Sequence, residues 1–196
     1  MRRITPASEE ALASVAPILS MAEAAMGFVP NSMKVMARQP AMLQGFAALA
    51  GAIMGPGSAI PRDLVQMIAN VTSQASGCRY CQAHTAHGAE RQMVPADKIA
   101  ALWDYETSAL FTPAERAALS LAQAAGSVPN ETTDAHFEAL KQHFNEDEIV
   151  GIVGVIALFG FLNRWNDTLA TTLEDGPLDF ALSHLTAKGW EIGNHG

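Results

Sequence analysis

Cys78 and Cys81 are the residues best suited to chemistry, because they are the only two cysteines of the chain and only two positions separate them. They follow a Ser76-Gly77 break and open an expected helix, where unpaired N–H groups and the helix dipole stabilise a thiolate. One turn of helix brings both sulfurs to nearly the same face, close enough for a disulfide. The spacing therefore predicts thiol–disulfide chemistry, with a pair of ordinary buried cysteines as the alternative.

His84 follows Cys81 by three residues, so the two side chains lie on the same side of the expected helix. An imidazole in that place could take up or supply a proton for the thiol, and a histidine satisfied within the core is the alternative. His87 lies one further turn along and drifts to another face. We expect His87 to be a surface or interface residue rather than a catalytic one.

Four potential metal ligands recur at every third position of this segment, namely Cys78, Cys81, His84 and His87. The set resembles a zinc site of two cysteines and two histidines. In a continuous helix, however, Cys78 and His87 would be about 13 Å apart along the axis, too far for four side chains to converge on one ion. We therefore predict neither a metal nor another cofactor.

The composition describes an acidic chain with a large apolar share. It has 196 residues, a net charge of -8 and 49% hydrophobic residues, enough for one substantial core. The acidic balance repels phosphate backbones and anionic lipid, so we expect a small, neutral or weakly polar substrate, with neither nucleic acid nor a membrane as partner. Arg2 and Arg3 precede polar residues instead of the apolar run of a secretion signal, and the expected location is cytoplasmic.

Turn signals divide the chain into helix-length segments, and no segment sustains an alternation of apolar and polar residues. The pattern predicts an all-α fold. The longest apolar run, residues 149–162, is short for a bilayer span and predicts a buried core helix. The glycine-rich tail beyond residue 187 is expected to fray and to carry no chemistry. The predicted helices span residues 8–26, 31–37, 41–54, 62–74, 78–92, 96–103, 112–125, 133–144, 146–173 and 178–187.

Residues 1–196 are predicted to form a single helical domain, with the redox motif in a half of about residues 28–105 and a second helical lobe of about 110–196. A weak internal similarity suggests that the two lobes are pseudo-repeats. Residues 63–85 and 148–168 both consist of an apolar helix, a glycine and a polar helix.

Two predicted helices carry more apolar surface than one subunit can hide. Residues 41–54 and residues 149–162 contain no charged side chain at all. Because such helices are apolar on too many faces, we expect a homo-oligomer assembled through them.

The segment around the cysteines resembles the alkylhydroperoxidase D-like proteins of the carboxymuconolactone decarboxylase superfamily, and especially the peroxidase-related branch. The resemblance covers residues 39–88 well, and its signature from Leu64 to Glu90 reads LVQMIANVTSQASGCRYCQAHTAHGAE. It implies an AhpD-like helical fold, assembly into oligomers, and reduction of small hydroperoxides at the expense of a thiol or dithiol reductant. In that scheme Cys81 attacks the peroxide and Cys78 resolves the sulfenic acid.

Two positions depart from the pattern of that family. A glutamate is expected twelve residues before the first cysteine, where this chain has Gln66, which forms hydrogen bonds but cannot accept a proton. A relay histidine is expected at Thr85, which leaves His84 as the nearest substitute. The candidate site therefore consists of Cys81, Cys78, His84 and Gln66, with an incomplete family relay.

Two other functions remain open at this point. The chain could be a non-catalytic helical oligomer whose cysteines serve as a redox sensor or a structural clip. It could also be a decarboxylase-like member of the same superfamily, although that chemistry needs no cysteine pair. The leading prediction is a thiol-dependent peroxidase or disulfide oxidoreductase.

Overall fold

The computed structural model describes residues 3–196, and this part of the chain contains eleven α-helices and no strand. The predicted all-α fold is confirmed. Three short 3-10 turns lie at Leu102–Asp104, Thr186–Lys188 and Gly193–His195. The helices are α1 (Glu9–Ser14), α2 (Ala16–Met26), α3 (Asn31–Met36), α4 (Pro40–Met54), α5 (Arg62–Ala75), α6 (Arg79–Arg91), α7 (Ala96–Ala100), α8 (Pro113–Gly126), α9 (Asp134–Lys141), α10 (Glu146–Leu169) and α11 (Asp175–His184).

Helix α5 lies at the centre of the main core, where it packs against α6, α8 and α10. Its sequence puts apolar or small residues on almost every face, and most of its side chains are buried. The main core draws on both predicted halves of the chain, for example through Ile68, Leu119, Ile152 and Phe180. The first four helices build a smaller apolar cluster of Val15, Leu19, Met33, Met36, Ala37 and Leu43.

Two helix boundaries differ from the sequence prediction. The first helix is divided at Val15, because Pro17 has no N–H to continue the hydrogen-bond ladder and instead occupies the first turn of α2. The last long helix ends at Leu169, because Ala170 adopts a left-handed conformation with φ of 50°. The residues that follow Ala170 then run in an irregular segment towards α11.

The two segments on which the suggested pseudo-repeat rests have different helix boundaries. Residues 63–85 are split into α5 and α6 at Gly77, whereas residues 148–168 remain within the single helix α10. Gly154 of α10 stays helical and lies beside the side chain of Ile53. A glycine therefore turns the chain in the first segment but not in the second.

Helix α10 has two unlike faces. By length and composition it is apolar enough to cross a bilayer, but one face lies in the core and includes Ile152, Val155 and Phe159. The opposite face exposes Val150, Val153 and Phe161. The prediction of a buried core helix therefore holds for only one of the two faces of α10.

The C-terminal tail is folded against the rest of the protein, so the expectation of a frayed end was wrong. The Trp190 indole N–H donates to the Arg79 carbonyl at 3.2 Å, and the Leu173 N–H donates to the His195 carbonyl at 2.9 Å. Gly176 and Pro177 lie within the first turn of α11 instead of preceding it, since proline fits a helix start. These contacts carry His195 to the N-terminal end of α6.

Candidate thiol redox site

The junction between α5 and α6 places both cysteines. Gly77 has a φ of 77°, a left-handed conformation that glycine adopts without strain, and it turns the chain so that Cys78 becomes the N-cap of α6. The Cys78 N–H donates to the Ser73 carbonyl at 3.1 Å. The Cys78 sulfur accepts the N–H of Cys81 at 3.4 Å, in the place that a capping oxygen usually takes.

Cys78 and Cys81 are free thiols with exposed fractions of 0% and 2%. A side-chain hydrogen bond with Cys81, followed by burial, raises the pKa of the Cys78 thiol far above its usual range. Asn166 of α10 donates a hydrogen bond to the sulfur of Cys81 at 3.4 Å. A donor aimed at this sulfur stabilises negative charge on it, as a nucleophilic thiol requires.

His84 forms a buried ion pair on the next turn of α6. Its Nε2 atom lies 2.5 Å from Oε2 of Glu174, and the Tyr80 ring stacks on the imidazole at 4.1 Å. Tyr80 donates its hydroxyl to Oε1 of Glu174 at 3.0 Å, and the backbone N–H of Asn31 donates to the same oxygen. Burial raises the pKa of Glu174, but the hydrogen bond and charge of His84 and the Asn31 N–H more than offset this, so the pKa lies below its usual range.

Asp167 and His195 form a second pair, next to Cys78. His195 is fully buried, with Nδ1 2.8 Å from the Thr171 carbonyl oxygen and Nε2 3.0 Å from Oδ1 of Asp167. Cys78, Asp167 and His195 each bring one potential ligand atom within 4.8 Å of the other two. Thiolate, imidazole and carboxylate are donors that zinc accepts, but an ion held there would engage Cys78 and prevent disulfide formation.

The set of Cys78, Cys81, His84 and His87 is not brought together as a metal site among residues 3–196. His87 lies beside Phe28, with ring centroids 6.0 Å apart, and its imidazole borders Gly176. It is half-buried, and burial lowers its pKa.

Several buried polar atoms of α10 and of the segment after it have no hydrogen-bond partner within the described chain. They include both amide atoms of Asn163, Oδ1 of Asn166 and Oγ1 of Thr171. Asn163 lies one turn before Asn166 on α10, and both side chains are almost fully buried. Each such group costs about 1–3 kcal/mol of stability, and the contact of Asn166 with the Cys81 sulfur favours a role of these atoms in binding a substrate.

Comparison with known proteins places this arrangement in a family. A sequence model of the carboxymuconolactone decarboxylase family matches residues 40–124. The debrominase Bmp8, whose structure was solved as a cysteine-to-alanine variant in complex with 2,3,4-tribromopyrrole, is 32% identical with a TM-score of 0.86. The similarity covers 92% of this chain and 96% of that chain. The chain belongs to the alkylhydroperoxidase D and carboxymuconolactone decarboxylase superfamily.

Two further proteins are similar to this chain. A peroxidase-related protein of Ralstonia eutropha, described as an alkylhydroperoxidase AhpD core, is 26% identical with a TM-score of 0.76, over 92% of this chain and 95% of that chain. The YnjA protein of Escherichia coli is 29% identical over 92 residues, or 47% of this chain. The match spans only half of the length of YnjA.

The two departures from the superfamily pattern have different local surroundings. The side chain of Gln66 lies against Gly88, two turns of α6 beyond Cys81, and no hydrogen bond of the described residues joins it to either cysteine. Thr85 donates to the Cys81 carbonyl at 2.7 Å and accepts a hydrogen bond from Asn70, so it ties α6 to α5. The carboxylate beside a histidine is supplied by Glu174, from the segment before α11.

Sequence reasoning missed four residues of this candidate site, and only two of them left a signal. Asn166 and Asp167 follow Asn163 on α10, and Asn163 and Asn166 continue the three- and four-residue spacing of the buried stripe that includes Phe159. Polar residues on an apolar stripe could have been recognised as functional. Glu174 and His195 reach the site only because the chain reverses after α10, which no local pattern indicates.

Proposed function

We propose that this protein is a dithiol oxidoreductase that reduces a small hydroperoxide, with Cys81 as the nucleophile and Cys78 as the resolving thiol. The observation that supports the proposal best is the hydrogen bond at 3.4 Å from the Asn166 amide to the sulfur of Cys81, within the buried Cys-x-x-Cys pair. The amide stabilises negative charge on that sulfur in a buried place where water competes little.

The proposed cycle balances two electrons. The Cys81 thiolate attacks the peroxide, the S–O bond forms and the O–O bond breaks, and the leaving alkoxide takes a proton from His84, whose positive charge Glu174 stabilises. Cys78 then attacks the Cys81 sulfenic acid, so that the S–S bond forms and water leaves. An external thiol or dithiol returns the disulfide to two thiols. We place this cycle in the cytoplasm, where thiol reductants are maintained.

The unpartnered amide of Asn163 and the unpartnered Oδ1 of Asn166 favour a substrate with polar atoms over a purely structural role of the cysteines. A hydroperoxide offers one O–H donor and two acceptor oxygens, which match the donor and acceptor atoms of a carboxamide. If the cysteines were only a structural clip, these unpaired groups would destabilise the fold without binding anything.

A second candidate substrate is a brominated heteroaromatic compound, and similarity to the debrominase Bmp8 over nearly the whole chain favours it. The same dithiol supplies the electrons. The Cys81 thiolate would take the bromine, the C–Br bond would break and the carbon would gain a proton. Cys78 would then form the disulfide as bromide leaves.

Parallel assays test the proposal and separate its substrates. Organic hydroperoxide and a polybrominated pyrrole are each supplied with dihydrolipoamide, thioredoxin or glutathione, and substrate loss is measured together with free thiols. We expect turnover with one substrate and the loss of both thiols in a single-turnover reaction without reductant. The proposal fails if two free thiols per chain remain after treatment with the hydroperoxide and also after treatment with the brominated pyrrole.

The alternatives predict other outcomes of the same assays. A redox sensor or structural clip would be oxidised by peroxide once, without turnover under any reductant. A decarboxylase-like enzyme would need no cysteine for its reaction, so any such activity would be retained in Cys81→Ser. The exposed Ser183→Ala change of α11 serves as the control for handling and folding.

A further inference from the structure

If His195 were neutral, two hydrogen-bond acceptors of the Asp167–His195 pair would face each other. A carbonyl oxygen only accepts, so the hydrogen at 2.8 Å from the Thr171 oxygen belongs to Nδ1 of His195. In a neutral imidazole Nε2 would then hold a lone pair, aimed at the Asp167 carboxylate only 3.0 Å away. Two lone pairs at that distance repel, so a proton lies between them. His195 with both nitrogens protonated and Asp167 ionised satisfies every atom of the pair.

The surroundings of His195 favour this ionised arrangement. The imidazole is completely buried, while the Asp167 side chain is 39% exposed and keeps contact with solvent. The Tyr80 ring is the nearest aromatic group, with its centroid 5.8 Å from that of His195. Two arginines are further charged residues here: the Arg3 guanidinium donates to the Thr168 carbonyl at 2.8 Å, and Arg79, directly after Cys78, lies beside Gly193. Glu174 is bonded to Tyr80 and His84 on the other side of the Tyr80 ring.

Cys78 is the remaining neighbour of the pair, and its sulfur lies within 4.8 Å of the reactive atoms of both residues. The hydrogen bond with Cys81, burial, and the charges of Cys81 and Asp167 raise the pKa of Cys78. Oxidation of Cys81 removes the contribution of its charge. The imidazolium then adds a positive charge beside Cys78, next to the Cys81 N–H that already donates to the Cys78 sulfur at 3.4 Å.

We propose that His195, held as an imidazolium by Asp167, is the counter-ion of the Cys78 thiolate and activates Cys78 only after Cys81 has been oxidised. This inference rests on the proposed dithiol cycle. In the resolving step Cys78 loses its proton, its sulfur bonds to Cys81, and the S–O bond of the sulfenic acid breaks. The leaving hydroxide gains a proton to become water. His195 gives up nothing in this step and acts through its charge.

The first test reads the protonation of His195 and needs neither substrate nor mutation. Nitrogen NMR of the wild-type protein labelled at histidine is expected to show both ring nitrogens of His195 protonated at neutral pH. A neutral ring with a bare Nε2 would overturn the proposal. A stoichiometric divalent metal in the purified protein, bound by Cys78, Asp167 and His195, would overturn it as well.

The second test measures the Cys78 thiolate in a Cys81→Ser background, where the neighbouring negative charge is absent. Thiolate ultraviolet absorbance is followed against pH, which requires no reagent to reach the buried sulfur. His195→Gln leaves the Asp167 carboxylate alone beside Cys78, so we expect the Cys78 pKa to rise by at least one unit. At a fixed pH below the Cys78 pKa, a rise of one unit lowers the fraction of Cys78 present as thiolate about tenfold. The double change His195→Gln with Asp167→Asn removes both charges and should largely reverse the shift.

The third test connects the pair to disulfide closure. With Cys81 present, diamide serves as the oxidant, and closure of the disulfide is expected to slow at least tenfold in His195→Gln. His184→Gln, the same change at an exposed histidine of α11, is the control and should leave the rate unchanged. Equal closure rates in His195→Gln and the wild type would refute the role of His195. Failure of the wild type to form any disulfide would instead refute the proposed function.

Discussion

The roles of the two cysteines depend on the helix dipole and the hydrogen bonds that stabilise negative charge on each sulfur. Position in the helix favours Cys78, because the first turn gives the strongest dipole stabilisation, worth about 0.3–1 kcal/mol. The contacts favour Cys81, whose sulfur accepts a hydrogen bond from the Asn166 amide. A hydrogen bond to a charged group contributes about 1.5–3 kcal/mol, so this contact outweighs the dipole.

Trapping the sulfenic acid tests this assignment. In Cys78→Ser the nucleophile is intact but cannot be resolved, so peroxide followed by dimedone should label Cys81. Cys81→Ser should react with peroxide no faster than a free thiol, because the remaining sulfur of Cys78 does not have the Asn166 amide that donates to Cys81. Mass spectrometry of both variants locates the label. Labelling found in Cys81→Ser alone, on Cys78, would reverse the two roles.

Asn166 contributes to the same sulfur through its amide. Asn166→Leu keeps the approximate size of the side chain but removes the donor, and we expect the rate of Cys81 oxidation to fall about tenfold, equivalent to 1.4 kcal/mol. Stopped-flow measurement under single-turnover conditions checks this step separately from reductant. Asn194→Leu, at an exposed asparagine of the tail, is the matched control. An unchanged oxidation rate would show that the amide has no part in activating the thiolate.

Glu174 links the chemistry to stability through its pKa. Because that pKa is lowered in the folded protein, the ionised carboxylate stabilises the fold at pH values above the ordinary carboxyl pKa of about 4.3, and this contribution is lost as pH falls through the lower, folded value. Glu174→Gln should therefore reduce the free energy of unfolding by about 1.5–3 kcal/mol at neutral pH. The difference from the wild type should shrink on acidification.

Urea unfolding at a series of pH values measures the effect of Glu174→Gln. The exposed Glu191→Gln change of the tail provides the same loss of charge without buried partners. A difference between Glu174→Gln and the wild type that grows towards acid would contradict the ion pair with His84.

At the scale of elements, the turn between α5 and α6 depends on one backbone conformation. Gly77 has a φ of 77°, and a Cβ added to it would meet no atom within 4 Å. The cost of Gly77→Ala is therefore conformational rather than steric, about 1–2 kcal/mol. We also expect slower closure of the disulfide, since the turn orients Cys78. Gly57→Ala is the matched control, because that glycine has equally open surroundings without the left-handed backbone.

Thermal unfolding and diamide-driven closure measure both effects of Gly77→Ala. If Gly77→Ala and Gly57→Ala lose equal stability, the left-handed turn is not what Gly77 provides.

These elements also show what the sequence could predict. Ser76-Gly77 before Cys78 marks the helix start, and the spacing of the cysteines indicates the redox motif, because both are local features. The end of α10 at Ala170 depends on a left-handed alanine, which sequence patterns do not favour. Glu174 and His195 enter the site through contacts with α6 that are distant along the chain. Such contacts cannot be predicted from the sequence of the tail alone.

At the scale of the whole molecule, α4 and α10 present a continuous apolar surface. They pack against each other, and their outer faces expose Leu49, Val150, Val153 and Phe161, with exposed fractions from 41% to 70%. Only Leu43 of α4 is buried, and no charged residue lies between Pro40 and Met54. We expect a second copy of this chain to cover the surface, as the resemblance to the superfamily implies.

Light scattering at micromolar concentration checks the homo-oligomer. We expect a mass of at least twice 20.8 kDa, and a shift towards the single subunit in Leu49→Glu with Val153→Glu, which place charge in the surface. The control Glu146→Gln changes an exposed residue at the start of α10 and should keep the assembly. A single-subunit mass in the wild type would refute the interface.

The burial of the two sulfurs sets a limit on access. With exposed fractions of 0% and 2%, neither sulfur can be reached from solvent unless the covering chain moves aside. Any opening that costs 1.4 kcal/mol slows encounter about tenfold, so the closed form screens out bulky oxidants and reductants. The resting dithiol is therefore kinetically shielded from indiscriminate oxidation, and local breathing of the chain, rather than thiol reactivity alone, governs how fast a bulky electron donor can regenerate it.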